Sequence, residues 1–419
     1  MGIINTEYMC KLGRKKSERQ FAKDYLRKMD LQAHVIENGI VLPPGRGGAV
    51  KPNPYNPDRI LIGRGGVLDG DGNYVEASSV RAVNVQDRMY GAYDISAHEI
   101  QDSDECVIYL NHFWQHWGHF ILDFVGRLWY VLQCNENYKL VYTCRLGESE
   151  PIIGNYLEFI RLLGIDESRL MMVNQVTRFK KVIVPDLSVC LGAYYTPEYK
   201  NLFDTVIRNA GATFTQEKKI YCSRSRIPSA SGKEQRESDI EEVFRNNGYE
   251  SVYMEELSLK EQIRLLNSCA EIAMLSGTLA HNLVFVRNSA RATVVNKTYL
   301  LNVVQFVVNH MTTADIYYVD AYVALTPITS GVGPFIIRRT REFAAYCRDN
   351  GLELGSLQVN DRLSLEEILR YGRRWWRGNK KNLYKLHKLA TLSEVGISEW
   401  AILRYFLRQQ LLRKPGGKI

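Results

Sequence analysis

From about residue 96 onward, short apolar runs alternate with longer stretches in which apolar positions recur every three or four residues. The short runs at Cys106–Leu110, Leu140–Thr143, Val182–Val184, Lys219–Ser223 and Glu271–Leu275 predict strands, and the periodic stretches near 117–133, 151–163 and 257–268 predict helices. In the last of these Leu257, Leu259, Ile263, Leu265 and Leu266 mark the buried face, and Ser258 with Glu261 has the spacing of a capping box. Strands alternating with helices of this length imply parallel sheets. The chain therefore reads as α/β, with an N-terminal Rossmann-like lobe over residues 96–205 and a C-terminal one over 206–345. Residues 1–95 interrupt the pattern with Leu42-Pro-Pro-Gly-Arg-Gly-Gly48 and Lys51-Pro-Asn-Pro-Tyr-Asn-Pro57, which predicts an extension of loops and a small β-hairpin. Residues 346–419 read as a helical tail.

Composition narrows this picture. With 45% apolar residues in 419, the chain can bury large cores. No apolar run is long enough to span a bilayer and the first twenty residues lack a signal-peptide core, so a cytoplasmic protein is expected. Eight scattered cysteines without a C-x-x-C pair predict reduced thiols rather than disulfides or zinc. Charge is uneven: residues 370–419 hold thirteen Lys or Arg against Glu394 and Glu399, a net of +11 in a chain of +8, so the remainder sums to −3. Tyr371-Gly-Arg-Arg-Trp375-Trp376-Arg-Gly-Asn-Lys-Lys381 and the apolar positions of 397–412 fit a basic amphipathic helix. Two readings stand side by side, a peripheral contact with an anionic inner-membrane surface and a terminal helix docked on the body. The slightly acidic remainder and the lack of a recognised motif argue against nucleic acid.

Candidate chemistry gathers at strand ends. Arg224 and Arg226 follow the strand at 219–223, where two guanidinium forks suit a diphosphate. Ser276, Gly277 and Thr278 follow the strand at 271–275 and start a predicted helix; Gly277 admits close backbone approach, with His281 and Asn282 one turn on. Glu256 and Gln262 are candidates for a ribose or base. In the first lobe His119, Asp123 and Arg127 repeat every four residues and share one helical face, an arrangement in which a carboxylate orients an imidazole for proton abstraction. Asp69-Gly-Asp71 and Asp102-Ser-Asp104 have the D-x-D form of a metal site, but the first lies in a Gly-rich turn that accounts for it, and no metal ligands are assigned. No G-x-G-x-x-G follows a strand, which sets aside a dinucleotide oxidoreductase.

Taken in order and spacing, Lys219-Ile-Tyr-Cys-Ser-Arg-Ser-Arg226, Gln235-Arg-Glu237, Gly248-Tyr-Glu-Ser-Val252, Glu256-Leu-Ser-Leu-Lys-Glu-Gln262, Ser276-Gly-Thr-Leu-Ala-His-Asn282 and His119-Phe-Ile-Leu-Asp123-Phe-Val-Gly-Arg127 resemble glycosyltransferase family 61. They look closest to bacterial members that serve capsule and surface-polysaccharide synthesis. The resemblance implies a GT-B fold with a cleft between facing lobes, and inverting, metal-independent transfer without a cofactor. The implied donor is a nucleotide sugar, UDP-linked by expectation, and the acceptor a glycan or lipid-linked glycan. Arg127, Arg224, Arg226, Glu256, Gln262, Ser276, Gly277, Thr278, His281 and Asn282 would then bind substrates, and His119 or Asp123 would be the base. Eukaryotic members usually carry His-Gly-Ala-Gly where this chain has Ser276-Gly277-Thr278-Leu279, so their first histidine has no counterpart here. A non-catalytic nucleotide- or glycan-binding scaffold is the alternative expectation.

Overall fold

The computed structural model describes residues 2–45 and 63–374, apart from 83–84, 90, 191, 229–232, 300, 324–332, 356–357, 361–362, 365, 369 and 372–373. Along the chain the strands of the two large sheets are β1 (Ile4–Asn5), β2 (Ala33–Glu37), β3 (Ile40–Leu42), β4 (Gly66–Leu68), β5 (Gln101–His112), β6 (Lys139–Thr143), β7 (Leu170–Val173), β8 (Thr177–Pro185), β9 (Lys218–Cys222), β10 (Glu250–Val252), β11 (Cys269–Leu275), β12 (Arg291–Asn296) and β13 (Asp315–Asp320). The first sheet runs β4-β3-β8-β5-β6-β7, with β2 also on β8; β8, β5, β6 and β7 are mutually parallel, while β2, β3 and β4 run against their neighbours.

The second sheet is wholly parallel, in the order β1-β13-β12-β11-β9-β10. From β9 the chain steps outward to β10, then returns to lay β11, β12 and β13 on the other side. That reversal opens a crevice beyond the C-terminal ends of β9 and β11, where ligands of open parallel sheets bind.

The central strands of both sheets are buried and apolar on both faces over their C-terminal halves, as burial on both sides requires. Ile220, Cys222, Ile272 and Met274 face one cluster, while Tyr221, Ala273 and Leu275 face another with α6 (Ser238–Asn246) and α9 (Arg341–Asp349). The first cluster also takes Ile108 and Leu110 of β5, so a single core passes between the sheets. It is filled by α4 (Gly154–Leu162), α5 (Pro197–Ala210) and α7 (Leu259–Asn267). Helix α5 starts at a Thr196 cap with Pro197 in its first turn and stops at Gly211, whose φ of 68° supplies the left-handed terminus. The capping box expected for α7 is present in both directions, Glu261 N–H to Ser258 Oγ and Ser258 N–H to Glu261 Oε2.

Three expectations are corrected by the fold. Residues 1–95 are not a separate extension: β1 closes one edge of the second sheet and β2, β3 and β4 belong to the first. The predicted helix at 117–133 breaks into α2 (Trp117–Leu122), a 3-10 turn (Phe124–Arg127) and α3 (Leu128–Gln133). Helix α2 ends at Asp123 (φ −117°), and at the junction with α3 the Gly126 carbonyl, which a continuous helix would give to the Tyr130 N–H, accepts instead from Ser188 N–H and Ser188 Oγ, at 2.9 and 2.7 Å. Thr278–Phe285 is likewise 3-10 rather than α-helical, and Gln305 Nε2 donates to the Ala280 carbonyl at 3.2 Å.

All eight cysteines are free thiols. No helix among the described residues is long and apolar enough to cross a membrane. The start of the expected tail is docked: Tyr371 is buried, and Glu367 pairs with Arg236 and with buried Arg338. The basic aromatic segment from Trp375 onward lies outside the described residues.

Candidate active site

At the crevice between β9 and β11 the strand ends deliver charge. Arg224 leaves β9 with its backbone N–H on Glu237 Oε1 at 3.1 Å and its Nη1 on Glu234 Oε1 at 2.9 Å. Lys297 follows β12, and its Nζ bonds the same Glu234 oxygen from a side chain only 6% exposed. Burial lowers the Lys297 pKa, and the neighbouring Glu234 opposes that shift. Burial also pushes the Glu237 carboxyl up to about 7, offset in part by the Arg224 N–H. Below them Ser223 Oγ donates to Glu241 at 2.8 Å.

Gly277 closes this cluster in a backbone conformation (φ 134°, ψ −157°) that is essentially confined to glycine. A Cβ there would lie 3.1 Å from Lys297 Nζ and 3.5 Å from Arg224 Nη1, so both cations stand directly over the glycine. Ser276 next to it accepts the Lys297 N–H at 3.3 Å. Gly277→Ala is expected to destabilise the fold by about 1–3 kcal/mol of backbone strain, read as a lowered Tm in thermal unfolding; an unchanged Tm would show that the turn tolerates a side chain.

A cleft of about 520 Å³ opens beside the cluster, within the usual size of small-molecule sites. The first sheet's side lines it with Gln115, Trp117, Asn155 and Tyr156, and the second sheet's with Arg224, Ile227, Gln262, Thr278 and Asn282. Asn282 and Gln262 reach it as parts of the frame: Trp117 Nε1 donates to Asn282 Oδ1 at 2.6 Å, and Asn282 Nδ2 to Gln262 Oε1 at 3.1 Å. Gln262 Nε2 in turn donates to the Met254 and Leu257 carbonyls at 2.9 and 3.1 Å. Arg226 and Glu256 take another course. They pair with each other at 2.7 Å, both more than half exposed, and Arg226 lies over Tyr253 at 3.7 Å.

His119 and Asp123 lie on the other flank. His119 Nδ1 and Asp123 Oδ2 are 2.8 Å apart, and the imidazole stacks on Trp114 at 4.6 Å. They line a smaller pocket with Asn111, His112 and Trp114, separate from the large cleft. Between the two flanks sits His281, with Nδ1 2.9 Å from Gln305 Oε1 and Gly118 of α2 against its ring. Burial depresses its pKa to about 4, and the charges of His116, His119 and Lys297 press it further in the same direction. His281 is therefore neutral above that range.

Arg127 departs from the sequence expectation. Its guanidinium is fully buried and donates to the carbonyls of Pro185 at 2.8 Å, Leu110 at 3.4 Å, Ser79 at 3.3 Å and Ala77, away from either pocket. The break after α2 turns it off the His119 face. The D-x-D candidates are also explained locally. Asp69 accepts from the N–H groups of Asp71 and Asn73 at 3.0 and 2.8 Å, and Asp102 pairs with Arg178. Among the described residues no group of three or more His, Cys, Asp or Glu is placed to hold a metal ion.

Sequence reasoning missed Lys297, Glu234, Glu237, Trp117 and Gln305. Lys297 carried a usable signal, since it follows a strand of the same sheet; Glu234 carried none.

The second sheet thus carries cations and a glycine turn at its switch point, with an imidazole–carboxylate pair on the other flank. Residues 117–295 match the family model Glycosyltransferase 61, so the chain carries a domain of that family and is a glycosyltransferase, an enzyme that binds a donor sugar and an acceptor. The match takes in α2 through β12 and stops two residues before Lys297. No curated protein matches the chain.

Proposed function

We propose that the protein transfers a sugar, with inversion and without a metal, from a nucleoside diphosphate sugar to a hydroxyl of a glycan or lipid-linked glycan. The observation that carries this reading is the convergence of Arg224, Lys297 and Gly277 at the switch point, with His281 between them and His119. The cations would stabilise charge growing on the leaving diphosphate. A carboxylate can only accept, so Asp123 keeps a hydrogen on Nδ1 of His119 and leaves Nε2 as the basic nitrogen. His119 is accordingly the base, and Asp123 the group that orients it and offsets its charge after proton transfer. The chain's own arginine and lysine supply the cationic role that a metal would otherwise fill.

The 520 Å³ cleft suits the nucleoside, with Trp117 and Tyr156 on one wall and Thr278 on the other. In the same reading the arrangement is GT-B-like, the pathway is bacterial capsule or surface polysaccharide, and the +11 segment at 370–419 holds the enzyme on an anionic inner-membrane face. The test is a panel of UDP-, GDP- and CMP-sugars assayed for release of nucleotide, with the product's anomeric configuration read by NMR. Turnover of one nucleoside diphosphate sugar with inversion is expected. Retention would overturn the mechanism, and nucleotide binding without turnover on any acceptor would favour the non-catalytic scaffold.

A further inference from the structure

Glu234 is an unusual partner for two cations. Its Oε1 receives both Arg224, at 2.9 Å, and Lys297, while its Oε2 is buried with no hydrogen-bond partner among the described residues. A carboxylate built as a permanent bridge would be expected to use both oxygens, because an unsatisfied buried acceptor costs about 1–3 kcal/mol. The cations it holds are not remote from ligand. Arg224 lines the large cleft, and both cationic groups stand over Gly277, whose missing Cβ leaves the space open. Without Glu234, a nearly buried lysine would stand 3.1 Å from that Cβ position beside an arginine, with Glu237 left as the nearby counter-charge for both.

We propose that Glu234 is a built-in anion which holds the Arg224–Lys297 pair in the unliganded enzyme and is displaced by the diphosphate of the donor, returning when the nucleoside diphosphate leaves. The inference rests on the donor reading above and adds to it a residue and an exchange. Binding replaces one carboxylate by a diphosphate carrying more charge, so the cations keep a partner throughout and never stand unpaired. The glutamate competes with the product for the same cations and thereby speeds its release. Once displaced, Glu234 faces the bound diphosphate, Glu237 and whatever of Arg224 and Lys297 the ligand leaves to it. Glu237 itself faces Tyr221, Arg224, Glu234, Glu241 and Lys297. Added negative charge among these groups favours proton uptake, and the already raised pKa of Glu237 makes it the ready acceptor.

The experiment is isothermal titration of the full-length chain with UDP, GDP and inorganic pyrophosphate, for the wild type, Glu234→Gln and Lys297→Met. Glu234→Gln is expected to bind the preferred nucleotide at least tenfold more tightly and release it more slowly in stopped flow, whereas Lys297→Met loses at least tenfold in affinity. Affinity unchanged or weakened in folded Glu234→Gln would overturn the exchange and leave Glu234 a structural bridge. Should Glu234→Gln fail to fold, the wild type decides alone: titration in PIPES and in Tris at pH 7 should give heats that differ by net proton uptake, and identical corrected heats would overturn it. The two readings fail separately. A wild type that binds none of the three ligands defeats the donor reading; one that binds UDP or GDP without either signature defeats only the exchange.

Discussion

Replacing His119 with alanine is expected to lower the turnover number for sugar transfer by about 10²–10⁴-fold, the usual contribution of a positioned acid or base, with the affinity for nucleotide little changed. The split follows from where the residues sit. His119 and Asp123 line the small pocket on the first-sheet flank, whereas Arg224 and Gln262 line the cleft on the second. Removing the base therefore takes away an interaction made only during reaction, which falls on kcat and kcat/KM together. Asp123→Asn separates the two candidates for the base. An amide can still meet His119 Nδ1 through its oxygen but carries no charge, so partial activity above His119→Ala is expected if Asp123 only orients the imidazole. An Asp123→Asn enzyme as inert as His119→Ala, or a His119→Ala enzyme near full rate, would move the base to Asp123 or out of this pair. Steady-state kinetics together with nucleotide titration on the same preparations decides among these outcomes.

How much of this was readable beforehand differs from residue to residue. The strands that became β9 and β11 were legible because burial on both faces leaves short apolar runs, Ile220–Cys222 and Ile272–Leu275, and the loops after them then fell at the crevice by the rule of parallel sheets. The same rule would have found Lys297, one residue beyond β12. Glu234 was beyond reach, since its two-residue strand is fixed only by pairing with Phe335 about a hundred residues later. Glu256 and Gln262 were named for chemistry and turned out to be held otherwise, one by Arg226 and the other by two backbone carbonyls, because side-chain partners do not show in spacing. Asn282 is the reverse case. It was named as a ligand donor, and instead its bond to Trp117 ties the two halves of the cleft together. The 117–133 segment shows why periodicity misleads: every fourth position shares a face only while the helix continues, and Ser188 captures the Gly126 carbonyl that continuity needs.

Arg127 tests that last point directly, since its sequence position argued for substrate and its surroundings argue for the fold. Arg127→Met keeps the length of the side chain and removes every donor, leaving the carbonyls of Ala77, Ser79, Leu110 and Pro185 without it in a fully buried site. Each orphaned buried acceptor costs about 1–3 kcal/mol, and relaxation recovers part, so a loss of about 3–5 kcal/mol is expected. The corresponding fall in Tm is on the order of 10 °C. The guanidinium also lies 5.4 Å from the Tyr109 ring, and burial lowers its own pKa, a cost that the four carbonyls, Tyr109, Tyr74 and the charge of Asp186 offset. These carbonyls come from the turn before Val80, from β5 and from the end of β8, and the first two segments also frame the pocket of His119. Activity of Arg127→Met should consequently fall in proportion to the folded fraction, with KM for donor and acceptor unchanged at low temperature. Arg127→Lys, with one ammonium for four acceptors, should restore only part of the stability. A variant with wild-type Tm and a raised KM would reverse the assignment and return Arg127 to the substrate.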